Sequence, residues 1–270
     1  MKLHVKHETV FTYDGLIREQ IGEARVQPRN EAGQRLQTFR LSIEPQTPLN
    51  IVSDRFGNVV HCYSVLPEHN RLVVTGTSVV ETSPNPLIPS PPLTFVQRHE
   101  FLSPSQYAPC TPELARFAGD HAGDGSVEAR AKALMTAIYD TCEYEPGSTD
   151  ISTTADAVLA GRRGVCQDFA HLHIALCRCL GLPARYVSGY LRDPAARPNA
   201  ILASHAWTEV FLASQGWLGL DPTHNQATTE DYVRVAVGRD YADATPVRGV
   251  FKGDAKETMA VHVRVSEARF

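Results

Sequence analysis

Tryptophan is scarce in this chain: of 270 residues only Trp207 and Trp217 are tryptophan, and none precedes position 207. Long apolar runs are missing too. No stretch approaches the roughly 18 consecutive apolar residues of a membrane-spanning helix. The opening MKLHVKHETVFTYDG has no apolar h-region and no small-residue cleavage site, so no secretory leader is expected and the cytoplasm is the expected compartment. Excess positive charge is absent: 26 Lys and Arg against 30 Asp and Glu leave a net charge of −4, without the basic footprint that nucleic-acid binding needs. Neither nucleic acid nor a membrane is therefore an expected partner. Six cysteines (Cys62, Cys110, Cys142, Cys166, Cys177 and Cys179) are too few for a disulfide framework. In a reducing compartment such thiols act as small buried hydrophobes, unless one has a special neighbourhood.

Metal-ligand spacing is lacking as well. His171, His173, Cys177 and Cys179 lie close together, but a spacing of two sends the members of each pair to different helix faces. No paired CxxC, HExxH or acidic calcium loop occurs. No metal and no organic cofactor is expected.

What is present is an ordinary globular composition, 43% hydrophobic and 21% charged, long enough for one large domain or two modest ones. Residues 1–82 read as an N-terminal antiparallel β domain, sandwich-like or a meander. LHVKHETVFTY, REQIGEARVQPR, RLQTFRLSIEP, NVVHCYSVL and RLVVTGTSVVET are short runs rich in Val, Thr, Phe and Tyr. Turn chemistry separates them, beginning with Tyr13-Asp14-Gly15. Then Pro84, Pro86, Pro89, Pro91, Pro92, Pro104, Pro109 and Pro112 crowd one segment. Proline removes backbone donors and fixes φ, so 83–110 reads as an extended linker. From 111 to 270 the pattern is α+β. Thr111-Pro112 and Ser126 are helix-start signals, Ala155 to Leu159 forms a brief helix, and CQDFAHLHIALCRCL forms a longer one stopped by Gly181-Leu182-Pro183. ARYVSGYL, HAWTEVFL, GWLGLD and Met259 to Ser266 come after it as strands.

Cys166 has the special neighbourhood. In GRRGVCQDFAHLHIAL a glycine stands two residues before the thiol and a strong helix starts at it. Unpaired N–H groups and the positive end of the helix dipole favour thiolate there and offer donors to an oxyanion. Gly164 lets the backbone approach a substrate. His205 opens HAWTEVFL and Asp221 closes GWLGLD just before Pro222. Adjacent antiparallel strands joined by the turn around Ser214 to Gly216 bring both to one sheet end, as nucleophile, base and orienting carboxylate require. Trp207, two residues beyond His205, shares its strand face and either walls the cleft or packs in the core. Arg162-Arg163 reads as a solvated loop, with holding the thiolate or an acidic substrate as the rival. Asp168 reads as a first-turn acid complementing the dipole.

At these residues the sequence resembles the transglutaminase-like superfamily, in particular its bacterial branch with an N-terminal β domain. HETVFTYD and DRFGNVV are similar to that branch's N-terminal domain. EYEPGSTDISTTADAVLAGRRGVCQDFAHLHIALCRCLGLPARYVSGYL is similar to its nucleophile segment, SHAWTEVFLASQGWLGLDPTHN to its histidine and aspartate segments, and DYVRVAVGRDYAD to its tail. The resemblance implies a papain-like catalytic core over 111–270 and a Cys166, His205, Asp221 triad. It implies a thioester-forming cysteine protease or amidase acting on a peptide or protein amide. Amine transfer is the same-class alternative, and a catalytically silent binding module the rival from another class. Animal transglutaminases carry tryptophan after the nucleophile, where Gln167 stands here, and use an upstream tryptophan for the oxyanion. Tyr144 is the candidate substitute; a half-buried core aromatic is its other reading.

Overall fold

The computed structural model describes residues 1–85, 87–194 and 204–268; Pro86 of the proline-rich run lies outside them. The first sheet is built on β1 (Lys2–Ala24), along which alternate residues from Leu3 to Tyr13 are buried, the period-two pattern of a strand with one covered face. With β2 (Gln34–Glu44), β3 (Leu49–Ser53), β4 (Val59–Val65) and β5 (His69–Thr82) it forms the order β2-β5-β1-β4-β3. The expected reversal at Tyr13-Asp14-Gly15 does not occur. The ladder with β5 instead shifts register between Thr12 and Ile17, and Glu19 takes φ 49°. Neighbours pairing with both halves of β1 hold the chain in one direction, so turn-forming residues are absorbed as a local irregularity.

The proline-rich stretch contains two elements that its composition hides, β6 (Leu87–Ile88) and α1 (Phe95–Leu102). Thr94 caps α1 in a reciprocal box with Gln97. Next come α2 (Pro112–His121) and α3 (Val127–Thr141), whose N-caps Thr111 and Ser126 accept from Leu114 N and Ala129 N, then β7 (Glu143–Tyr144), α4 (Ala155–Gly161), β8 (Arg163–Gly164) and α5 (Cys166–Cys179). The second sheet comprises β9 (Ala184–Leu191), β10 (His205–Leu212), β11 (Gly216–Asp221), β12 (Gln226–Ala227) and β13 (Tyr232–Gly238), in the order β12-β11-β10-β9-β13 with β6 beside β11. Helix α5 is buried from Asp168 through Arg178. With α2, α3 and α4 it makes the main core, which packs on β9, β10 and β11. After α6 (Tyr241–Ala244), β14 (Val247–Lys252) and β15 (Glu257–Glu267) return to pair antiparallel with β1. Thus the last strands of the 111–270 segment belong to the first sheet, and one chain end is laddered against the other.

The two sheets meet along a buried apolar seam of Leu3, Val5, Val80 and Val263 against Tyr190, Val233 and Val235. Buried hydrogen bonds cross it, from Gln34 Nε2 to Arg234 O and from Asn58 Nδ2 to Val237 O. Cys110 and Cys179 form a disulfide with Cα atoms 5.8 Å apart, against the expectation of unpaired cysteines. They are 69 residues apart in sequence and become neighbours only when α5 packs. Among the described residues no helix is long and apolar enough to cross a membrane.

Strand β10 is anchored by Glu209, fully buried, whose Oε2 accepts from Arg185 Nε at 2.7 Å, while the guanidinium lies 4.1 Å from the centre of the Trp217 ring. Glu209→Ala would leave this cation buried and unpaired. The expected loss is about 3–5 kcal/mol in urea unfolding; a loss below about 1 kcal/mol would show that water reaches the pair.

Candidate active site

Helix α5 begins where four local features coincide. Arg162 caps α4 in the left-handed conformation (φ 54°), and β8 then pairs in parallel with β7. Val165 N donates to Asp168 Oδ2 at 2.8 Å, closing the first turn, and Thr149 Oγ1 donates to the same oxygen at 2.6 Å. Burial nevertheless raises the Asp168 carboxyl above its ordinary value, against those two donors. Asp168 thus caps the helix, and it also fills the room beside Gly164. A Cβ added at Gly164 would meet the Asp168 carboxylate at 2.8 Å, so that glycine makes space for the cap. Cys166 occupies the first helical position, where helix geometry leaves the N–H groups without an i−4 acceptor.

The register between β10 and β11, with Thr208 opposite Leu220 and Leu212 opposite Gly216, sets His205 and Asp221 at one sheet end. His205 Nε2 donates to Asp221 Oδ2 at 2.8 Å. Cys166 interacts electrostatically with the same imidazole, favouring its protonated form. Asp221 is completely buried. Its Oδ2 also accepts from His224 Nδ1 at 2.7 Å and from the Tyr232 hydroxyl at 2.7 Å, and its Oδ1 from Thr223 N at 2.9 Å. Burial opposes the charge on Asp221, but the His205, His224 and Tyr232 donors outweigh it and hold the carboxyl well below the usual range. Burial likewise opposes protonation of His205, yet Asp221 and Cys166 raise it from 6.5 to about 10.

Cys166, His205, Tyr144 and Gln167 line one cavity of about 540 Å³. Tyr144 is half-exposed and edge-on to Phe169, with ring centres 6.3 Å apart. Burial first, then the charges of Cys166, Asp168 and Asp221, raise its phenol, which therefore keeps its proton at neutral pH. Trp207 does not line the cavity. It is fully buried beneath His205 with ring centres 6.0 Å apart, edge-on to Tyr232 and pressed against Gly189. Arg163 reaches Glu145 at 3.5 Å and Arg162 lies over the Phe117 ring.

The histidines on α5 do structural work. His171 stacks on Tyr107 and accepts from Tyr241 N, and His173 donates to Ala131 O. Burial lowers them to about 3 and about 4. A metal-ligand geometry arises elsewhere: ligand atoms of His205, Asp221 and His224 lie within 4.8 Å of one another. Zinc accepts such a donor set, but Asp221 Oδ2 already serves three hydrogen-bond donors. Sequence reasoning missed Thr223, His224 and Tyr232. The signal for the first two was Asp221-Pro222-Thr223, an aspartate that accepts from the backbone two residues on; nothing local marks Tyr232.

Residues 115–222 match the transglutaminase-like superfamily, and residues 3–81 match the bacterial transglutaminase-like N-terminal region. An uncharacterized protein of Mycobacterium leprae is 33% identical over 98% of each chain. A protein-glutamine gamma-glutamyltransferase of Pseudomonas aeruginosa is 34% identical over 37% of this chain and 17% of its own. The crystal structure of a candidate cysteine protease from Cytophaga hutchinsonii superposes with a TM-score of 0.80 at 26% identity, over 100% of this chain and 92% of that one. The chain belongs to the transglutaminase-like superfamily, in the branch that carries the bacterial N-terminal region.

The raised value of His205 sets a pH dependence. Protonated His205 favours the folded state, a contribution complete below pH 6.5 and lost as the pH rises through about 10. The depressed Asp221 adds stability above 3.8 that is lost as the pH falls below it. In urea unfolding the wild-type advantage over His205→Ala is expected to be greatest near pH 5 and to narrow between pH 7 and 10. A gap that stays constant over that range would contradict the imidazolium–carboxylate pair.

Proposed function

We propose that this chain is a cysteine-dependent amide or peptide hydrolase that works through a thioester, with Cys166, His205 and Asp221 as its triad. The observation that carries the reading is the imidazole of His205, fixed on a buried carboxylate, raised by Cys166 and sharing one cavity with it. In the first half-reaction the Cys166 sulfur attacks the amide carbonyl carbon as a thiolate, its proton already resident on His205. The tetrahedral intermediate then expels the amine, which takes that proton. In the second, His205 removes a proton from water as its oxygen attacks the thioester, and the thiolate is regenerated as the carboxylic acid leaves. Asp221 keeps the imidazole oriented throughout. The Cys166 backbone N–H and the Tyr144 hydroxyl are the proposed donors to the oxyanion, and Gln167 contacts the substrate beside the nucleophile.

Amine transfer is the second reading, favoured by the likeness of part of the chain to the Pseudomonas aeruginosa gamma-glutamyltransferase. It requires that an amine outcompete water at the thioester. In this chain a polar Gln167 comes directly after the nucleophile and Trp207 is buried beneath His205, so no tryptophan shields the approach. The compartment is a separate matter: a persistent Cys110–Cys179 bond needs an oxidising one, and a cytoplasmic location requires the pair reduced.

Two outcomes are expected. Iodoacetamide at neutral pH modifies Cys166 before Cys62, Cys142 and Cys177, and His205→Ala slows that modification at least tenfold; uniform labelling would remove the activated nucleophile. With an accepted amide substrate, a primary amine at millimolar concentration captures the smaller part of the acyl-enzyme by mass spectrometry. Predominant amine adduct would instead make the chain a transferase that uses the same triad.

A further inference from the structure

The cavity at Cys166 is not confined to the papain-like core. Its far wall comes from the first sheet, through His7 and Thr9 on β1 and Met259 and Val261 on β15. The antiparallel register sets His7 opposite Val263, Thr9 opposite Val261 and Phe11 opposite Met259. Directly opposed residues share a face, and the strand period keeps every second one on it. The face turned toward the nucleophile is thus mainly apolar. Its polar members are matched to each other: His7 Nε2 is 2.9 Å from Thr9 Oγ1 and His7 Nδ1 is 3.1 Å from the Tyr190 hydroxyl. Burial lowers the pKa of His7 to about 4, so the imidazole carries no charge at neutral pH. Val247, Pro246 and Tyr186 extend the apolar lining. Among the described residues lining the cavity there is no lysine or arginine, and the single carboxylate is Asp193.

We propose that the β1–β15 ribbon is the specificity wall of the Cys166 cleft, and that the substrate places an uncharged, bulky apolar acyl side chain against Thr9, Met259 and Val261. The inference rests on the hydrolase reading and adds to it the class of acyl group. About 540 Å³ falls within the range that holds a drug-sized ligand, room for a large aliphatic or aromatic side chain and the peptide groups flanking it. A charged side chain brought to the same wall would lose its water; among the described lining residues the one cation is the protonated His205 on β10, an acid finds no lysine or arginine, and a base finds only Asp193. The first sheet therefore acts as half of the substrate site, and the return of the C-terminal strand to β1 is what completes it.

The test uses the full chain and a series of peptide amides differing only in the residue that supplies the acyl group: Leu, Phe, Glu and Lys. The wild type is expected to show kcat/KM at least tenfold higher for Leu and Phe than for Glu or Lys, within the range by which apolar pockets discriminate. Val261→Lys and Met259→Lys each place a cation on the wall and are expected to raise the Glu-to-Leu ratio tenfold or more. Met259 is 53% exposed and tolerates the change if Val261→Lys does not fold, with near-ultraviolet circular dichroism reporting on folding. The proposal is overturned if wild-type enzyme accepts charged and apolar acyl groups equally. It is also overturned if folded lysine variants keep the wild-type ratio. Intact mass separates these failures from that of the parent reading: an acyl-enzyme on Cys166 with flat selectivity removes only the specificity wall. No Cys166 adduct from any member of the series removes the hydrolase and the wall with it.

Discussion

A carboxylate with no access to water is the constraint on which the site depends. An unpaired anion at Asp221 would cost several kcal/mol, and the fold avoids that cost by converging donors from three places: His205 on β10, Thr223 and His224 after β11, and Tyr232 on β13. Shifting any of these strands by one residue would turn a donor to the other face of the sheet and strand the charge. The anion thus fixes the register of the sheet as well as the orientation of the imidazole. Trp207 serves the same arrangement from below, filling the space between His205, Tyr232 and the bare backbone of Gly189.

Cys166, the proposed nucleophile, is held by the opposite strategy, a helix locked at both ends. At the N-terminus Asp168 closes the first turn onto Val165 and is itself held by Thr149. At the C-terminus Arg178, buried, donates to Phe101 O, Ser105 Oγ, Ala184 O and Arg239 O. One guanidinium therefore ties α5 to the proline-rich stretch, to β9 and to the chain just past β13. Burial lowers its pKa to about 10, which still leaves it charged at neutral pH. With both ends fixed and the flank from Asp168 to Arg178 buried, Cys166 has little freedom to move relative to His205. Preorganisation of this kind is what a nucleophile–base pair requires.

What could be read from the sequence was local. The caps Thr111 and Ser126, the start of α5 at Cys166 and the ends of β10 and β11 all arise from signals spanning a few residues, and the structure places them as expected. Local signals misled at Tyr13-Asp14-Gly15, where pairing with β5 and β15 on one side and β4 and β14 on the other overrode turn propensity. They were silent on everything that needs a distant partner: the disulfide between Cys110 and Cys179, the hydroxyl of Tyr232 on Asp221, and the pairing of β15 with β1. Proline density concealed α1 and β6, although proline acts only on nearby backbone and none falls between Pro92 and Pro104, where α1 lies, or at Leu87–Ile88.

The pairing of the two ends of the chain carries more than stability. β1 gains β15 as a neighbour along the half that faces the second sheet, where Leu3, Val5 and Val263 enter the seam with Tyr190 and Val233. Strand geometry then dictates the rest of β15. If Val263 enters the seam, Val261 and Met259 share its face and run on toward Cys166, while Ala260 and His262 face away. The residues that close the cavity are consequently set by the packing of the seam, since a slip of one residue would exchange Val261 for Ala260 or His262 at the wall. Stability and site geometry are the same constraint here, and this accounts for an N-terminal sheet that cannot be treated as an appendage to the papain-like core.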